Sequence, residues 1–168
     1  MTRYTCLLRA VNVGGTGKLP MAELRAMCEA AGFTDVRTYI ASGNVVLRSA
    51  STARQVQATL EAALAQYTGK AVAVLVRTAA EMSAVLDANP FPDAAANRVV
   101  VVFLDQPPPP DALDTTGQAG EQLALGRREI YVHYPDGIGD SKLKIPGAKA
   151  GTARNLNTVA KLVGMVAG

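Results

Sequence analysis

Apolar positions along the chain alternate between two periods, and the points of change lay out its elements. Residues 3–11 (RYTCLLRAV) form a mostly apolar run that predicts a buried β-strand. From residue 20 the spacing changes, and Met21, Leu24, Met27, Cys28 and Ala31 recur as one face of a helix. Pro20 suits a first helical turn and Gly32 the position just past the end. Residues 36–40 and 44–48, rich in Val, Tyr, Ile and Leu, read as two short strands joined in a hairpin. Ser51 or Thr52 opens a second helix with Val56, Leu60 and Leu64 on one face; Gly69 ends it, and residues 71–76 (AVAVLV) add a strand. Strand, helix, strand, strand, helix, strand is the split βαβ pattern of a ferredoxin-like unit, here over residues 1–77.

The second half, residues 78–168, is less regular. Thr78 and Glu81 have capping-box spacing and open a helix that ends near Asn89-Pro90. Residues 98–104 (RVVVVFL) read as a central strand. The prolines at 107–110 impose a stiff, extended connector, and Asp111 is a candidate start for a short helix. Residues 121–134 resemble a hairpin turning at Gly126-Arg127-Arg128, and a closing helix is expected over 152–165 with Thr152 as its N-cap. This half reads as a degenerate echo of the first that lacks the last strand. The expected class is α+β, a ferredoxin-like βαββαβ half with a smaller α/β half packed against it, in one compact unit or two.

Composition narrows the classes. At 168 residues with 49% hydrophobic content, the chain can bury a proper core. No apolar run approaches the roughly 18–20 residues that span a bilayer, and the N-terminus lacks a secretory pattern, so no membrane partner is expected. Cys6 and Cys28 fall inside strand and helix patterns and read as reduced core thiols, which points to the cytoplasm. The net charge of +3 is unevenly spread: residues 1–50 carry +3, residues 51–136 carry −4 and residues 137–168 carry +4. Basic ends that met in space would favour an anionic partner; spread apart, they are ordinary solvated surface.

Two stretches carry candidate chemistry. In RAVNVGGTGKLP (9–20), a Walker A alignment puts Asn12 where the first glycine belongs and Leu19 where the metal-binding hydroxyl belongs, so that motif fails. The dinucleotide fingerprint fails as well, since from Gly15 it ends on Pro20. A weaker physical point survives: Gly14 and Gly15 before a helix present free backbone N–H groups, and Lys18 adds positive charge. Taken alone, this loop reads more simply as a flexible turn. The ferredoxin-like topology would gather it at one end of the sheet with the hairpin Ser42-Gly43-Asn44 and the turn at 68–70, so that Asn12, Lys18, Ser42, Asn44 and Lys70 share a rim.

In GTARNLNTVAKLVG (151–164), Leu156, Val159, Ala160 and Val163 form an apolar helical stripe. Arg154, Asn157, Thr158 and Lys161 lie opposite, and Asn and Thr there cost helix propensity. Ligand recognition or tertiary hydrogen bonds would explain that cost, and plain solvated surface is the third reading.

These motifs together, Arg9, Asn12 to Gly15, Thr38-Tyr39, Ser42 to Asn44, Asn89 to Phe91, Ser141 to Leu143 and Thr152 to Thr158, resemble the bacterial family catalogued as domain of unknown function 1697. They span nearly the whole chain in the family's order. Ala10 and Leu156 depart from the pattern, where glycine and an aromatic are usual. The resemblance implies a small α+β fold and transfers no activity.

Catalytic constellations are sparse. His133 stands alone, Cys6 has no motif to activate it, and no acidic pair is spaced for acid–base work; Asp136 and Asp140 flank a glycine loop with too few oxygens for a cation. No metal or cofactor is implied. The candidate set, rich in Arg, Lys, Asn and Ser, binds phosphate well and transfers protons poorly. The expected function is binding of a phosphate-bearing ligand, nucleic acid or nucleotide. Arg9, Lys18, Lys142, Lys144 and Arg154 would contact phosphate, with Asn12, Asn44, Asn155 and Asn157 positioning the ligand. Two alternatives stand beside it: a metal-independent enzyme acting on a small phosphorylated metabolite, and polar motifs that serve structure alone.

Overall fold

The computed structural model describes residues 1–9, 19–40 and 43–167. Contacts divide the chain into two units, Met1–Met82 with Leu162–Gly168, and Ser83–Lys161; the division falls inside two of the helices.

The first unit begins with β1 (Thr2–Leu8), α1 (Met21–Ala30), β2 (Thr34–Tyr39) and β3 (Asn44–Ser49), followed by α2 (Ala53–Thr68) and β4 (Val74–Thr78). Its sheet has the order β2-β3-β1-β4, antiparallel throughout, which is the arrangement the split βαβ pattern requires. The helix boundaries follow the expected signals. Pro20 precedes α1, whose missing N–H costs nothing there. Thr52 and Gln55 form a reciprocal capping box at the start of α2, and Gly69 ends that helix at φ +74. Tyr4, Cys6 and Leu8 alternate onto the face that meets Leu24, Leu60 and Leu64 of the two helices. Strand β1 ends at Leu8, short of the predicted Val11, and β4 starts at Val74 rather than Ala71.

Helix α3 (Ala79–Asp87) opens on the expected capping box, with Thr78 N–H donating to Glu81 Oε1 (2.9 Å) and Glu81 N–H to Thr78 Oγ1 (3.1 Å). The second unit then builds a sheet from β5 (Val99–Phe103), β6 (Gln122–Leu125), β7 (Glu129–His133) and β8 (Thr152–Asn155), in the order β6-β7-β5-β8 and again wholly antiparallel. Substituting β5 to β8 for β1 to β4 reproduces the first sheet's order. The internal echo is therefore complete in strands and deficient in helices, the reverse of the sequence-based expectation. No helix begins at Asp111: after the prolines the chain makes only i to i+3 bonds, Ala112 N–H to Pro109 O (3.0 Å) and Asp114 N–H to Asp111 O (2.9 Å). That loop and residues 143–148 take the place of helices, setting Ala112, Leu143 and Ile145 against Val100, Val102 and Ile130.

The predicted helix over 152–165 is also corrected. Residues 152–155 form β8, paired with β5 from Thr152↔Phe103 to Asn155↔Val100, and α4 runs Leu156–Ala167. The run of buried valines in β5 offers a free ladder on that side, and pairing satisfies more backbone groups than one extra helical turn would. Asn155 is consequently the N-cap, its Oδ1 accepting from Thr158 N–H at 2.9 Å. Among the described residues no helix is long and apolar enough to cross a membrane.

Candidate functional site

β1 finishes at the end of the first sheet that also carries the β2–β3 hairpin and the segment entering β4. Leu8 N–H donates to Gly43 O (2.9 Å) and Arg9 N–H donates to Ala73 O (2.9 Å). The chain leaving β1 is thus pinned between the β2–β3 hairpin and the segment entering β4. Arg9 is exposed there, as is Lys70 in the turn after α2. Asn44 is fully buried, and its Nδ2 donates to Tyr39 O (2.9 Å), closing the hairpin from inside. Gly43 takes φ +87, and Ile40 holds φ +49, a conformation that costs a β-branched residue energy. Asn12, Gly14, Gly15, Lys18 and Ser42 lie outside the described residues.

The remaining predicted residues belong to the second unit. Lys144 exchanges both backbone bonds with Thr116 (3.1 and 2.8 Å), which ties the glycine loop to the loop before β6. Lys142 lines a cleft of about 260 Å³ with Glu121, Asp136, Asp140 and Ser141. Glu121 accepts from Ala119 N–H (2.5 Å) and from the Ser141 hydroxyl (2.9 Å), and these bonds hold its carboxyl below the usual range. Three carboxylates to one ammonium make this cleft unfavourable for phosphate. Among the described residues no group of three or more His, Cys, Asp or Glu is placed to hold a metal ion.

Arg154 is 7% exposed, and its Nη1 donates to Thr152 Oγ1 (2.6 Å) and Ala153 O (3.0 Å). Burial brings its guanidinium down to about 10. Asn155 is spent on the α4 cap, while Asn157 is exposed in the first turn. His133 packs its ring against Phe91 at 5.6 Å.

Sequence reasoning missed a set of arginines on the first sheet. Arg3 of β1 lies directly opposite Arg48 of β3; Thr5 lies opposite Val46 and Arg77, and Arg37 opposite Val46. All therefore share the face that α1 and α2 do not cover. The signal was present as alternation, since each arginine sits one or two positions from a core residue on its own strand. Arg37 Nη2 donates to Met165 O (2.6 Å) in the last turn of α4 and lies 3.8 Å from Asp35, so it complements the negative end of that helix.

Two antiparallel sheets of one order, the first backed by helices and the second by loops, define an α+β protein built on a ferredoxin-like unit. The chain belongs to the family described as Protein of unknown function (DUF1697), whose model matches residues 1–131. Among solved structures, it is similar to the conserved bacterial protein SP0830 from Streptococcus pneumoniae. The two are 26% identical with a TM-score of 0.82, over 98% of each chain. No curated protein matches the chain.

Proposed function

We propose that the protein binds a phosphate-bearing ligand at the rim of its first sheet, with nucleic acid as the ligand class to test first. The observation that carries this reading is the pinning of Arg9. Its backbone is bonded to Ala73, and its neighbour Leu8 to Gly43, so an exposed guanidinium is held between the β2–β3 hairpin and the segment entering β4. A guanidinium stays charged at every working pH and matches phosphate geometry with paired N–H donors. Exposed Lys70 adds a second cation from the adjoining turn.

A second reading applies to Arg154, Asn155 and Asn44. Their bonds to Thr152, Ala153, Thr158 and Tyr39 support a structural role for these three, as local fasteners of β8, α4 and the hairpin.

Fluorescence anisotropy with labelled single-stranded RNA and duplex DNA across a salt series tests the proposal, comparing wild type with Arg9→Ala. Binding should weaken with salt, and Arg9→Ala should lower the log–log salt slope by about one, as loss of one phosphate contact requires. No binding to either nucleic acid at low salt, with no thermal stabilisation by nucleotides, would overturn the reading.

A further inference from the structure

The face of the first sheet that α1 and α2 do not cover holds a feature that the rim does not explain. Arg3 and Arg48 are direct cross-strand partners on adjacent antiparallel strands. Such side chains leave Cβ atoms roughly 4.5–5.5 Å apart, and like charges placed so are destabilising. Among the described residues no carboxylate lies within ion-pair distance of either one. Arg3 Nη1 and Arg48 Nε are buried without a hydrogen-bond partner in the protein. The hydroxyl of Thr5, two residues along the same face from Arg3 and wholly buried, is likewise unpartnered. Buried donors are paired as a rule, and each exception calls for an explanation. Three donors and two positive charges with no acceptor, gathered on one stretch of one sheet, share a single explanation.

We propose that Arg3 and Arg48 form a seat for a phosphate group, with Thr5 as a third donor at its inner edge. A tetrahedral dianion between the two guanidiniums removes their mutual repulsion and accepts from the orphaned nitrogens. Both arginines are half-buried, so the anion is reached from solvent while its bonds are partly shielded from water. The neighbouring Arg37 spends its Nη2 on Met165 O and lies 3.8 Å from Asp35, while its Nε is likewise buried without a partner. The directly opposed Arg3 and Arg48, with no carboxylate beside them, are therefore the anion's principal ligands. The proposal rests on the phosphate-bearing reading and deepens it. Arg3 on β1 and Arg9 just beyond its end are six positions apart, about 20 Å at the rise of an extended strand, so one ligand spanning both must be long.

The test is thermal denaturation at constant ionic strength, with sodium phosphate replacing sodium chloride. The wild type should be stabilised by phosphate. Arg48→Ala should bind it about tenfold or more weakly, as loss of a charge-assisted bond implies. Arg48→Lys keeps the charge and loses the paired donors, so it should also weaken phosphate binding, and it guards against a misfolded alanine variant. A wild type indifferent to phosphate, or a shift fully retained in both Arg3→Ala and Arg48→Ala, overturns the seat. Adding a nucleoside monophosphate and an oligonucleotide in separate arms identifies the source: micromolar oligonucleotide binding that needs Arg48 assigns the phosphate to nucleic acid, whereas response to the small ligands alone assigns it to a metabolite. Arg9→Ala should leave the inorganic phosphate shift in place. Loss of that shift only in Arg48 variants, with no effect of Arg9→Ala on any ligand, supports the seat and sinks the rim; the converse sinks the seat alone.

Discussion

Removing the Asn155 side chain tests how the Thr-Ala-Arg-Asn segment is used. The carboxamide Oδ1 accepts from Thr158 N–H at 2.9 Å, three residues into α4, and the side chain is otherwise exposed. Asn155→Ala therefore removes a cap without opening a cavity, and the expected loss is about 1 kcal/mol. For a chain of this size that corresponds to a melting-point fall of roughly 2–4 °C. Asn155→Asp should restore the acceptor and place negative charge at the positive end of the helix, giving wild-type stability or slightly more. Urea denaturation followed by circular dichroism measures this as a lower midpoint with an unchanged slope. Asn155→Ala at wild-type stability would refute the cap, as would Asn155→Asp losing as much as alanine. Either result would return Asn155 to the ligand-contacting role that its residue type first suggested.

Tyr131 offers a pH-dependent counterpart. Its hydroxyl donates to Val85 O (2.7 Å), in the last turn of α3, where carbonyls lack intrahelical donors; burial, and secondarily Glu129, push it up to about 12. The unfolded chain ionises this phenol near its ordinary value of 10 and so binds fewer protons than the folded chain between pH 10 and about 12. Its contribution is full below pH 10 and is lost through that window, so Tyr131→Phe should be less stable at pH 7, by about 1 kcal/mol, yet decline less steeply in alkali. Equal alkaline slopes in the two proteins would contradict this. The thiols give a simpler check. Cys6 and Cys28 are buried and free, and burial raises both, Cys28 to about 12. A thiol reagent at pH 8 should be silent on the native protein and report both thiols in urea; rapid labelling before unfolding would contradict the packing of β1 on α1.

Local chemistry was enough to place most of the first unit. The apolar face of α2, a start at Ser51 or Thr52 and the stop at Gly69 mark that helix within a residue, because caps and periodicity act over a few neighbouring positions. The same reasoning ordered β1 to β4 into the ferredoxin-like sheet. It failed at residues 152–155. Thr152 and Asn155 are both good N-caps by residue type, and only the free ladder beside β5 decides that the first is a strand residue and the second the cap. Arg154, which reads on a helical wheel as an outward-facing contact, becomes a buried strand residue by that one change. The arginine pair shows the limit from the other side. Arg3 and Arg48 are forty-five positions apart and unremarkable singly; strand register alone makes them opposite neighbours. Sequence by itself determined the fold class and the first unit's core faces and helix ends, because short-range periodicity and capping encode them. Which cations face one another, and which polar groups are already spent inside the fold, was decided only by the long-range pairing of strands.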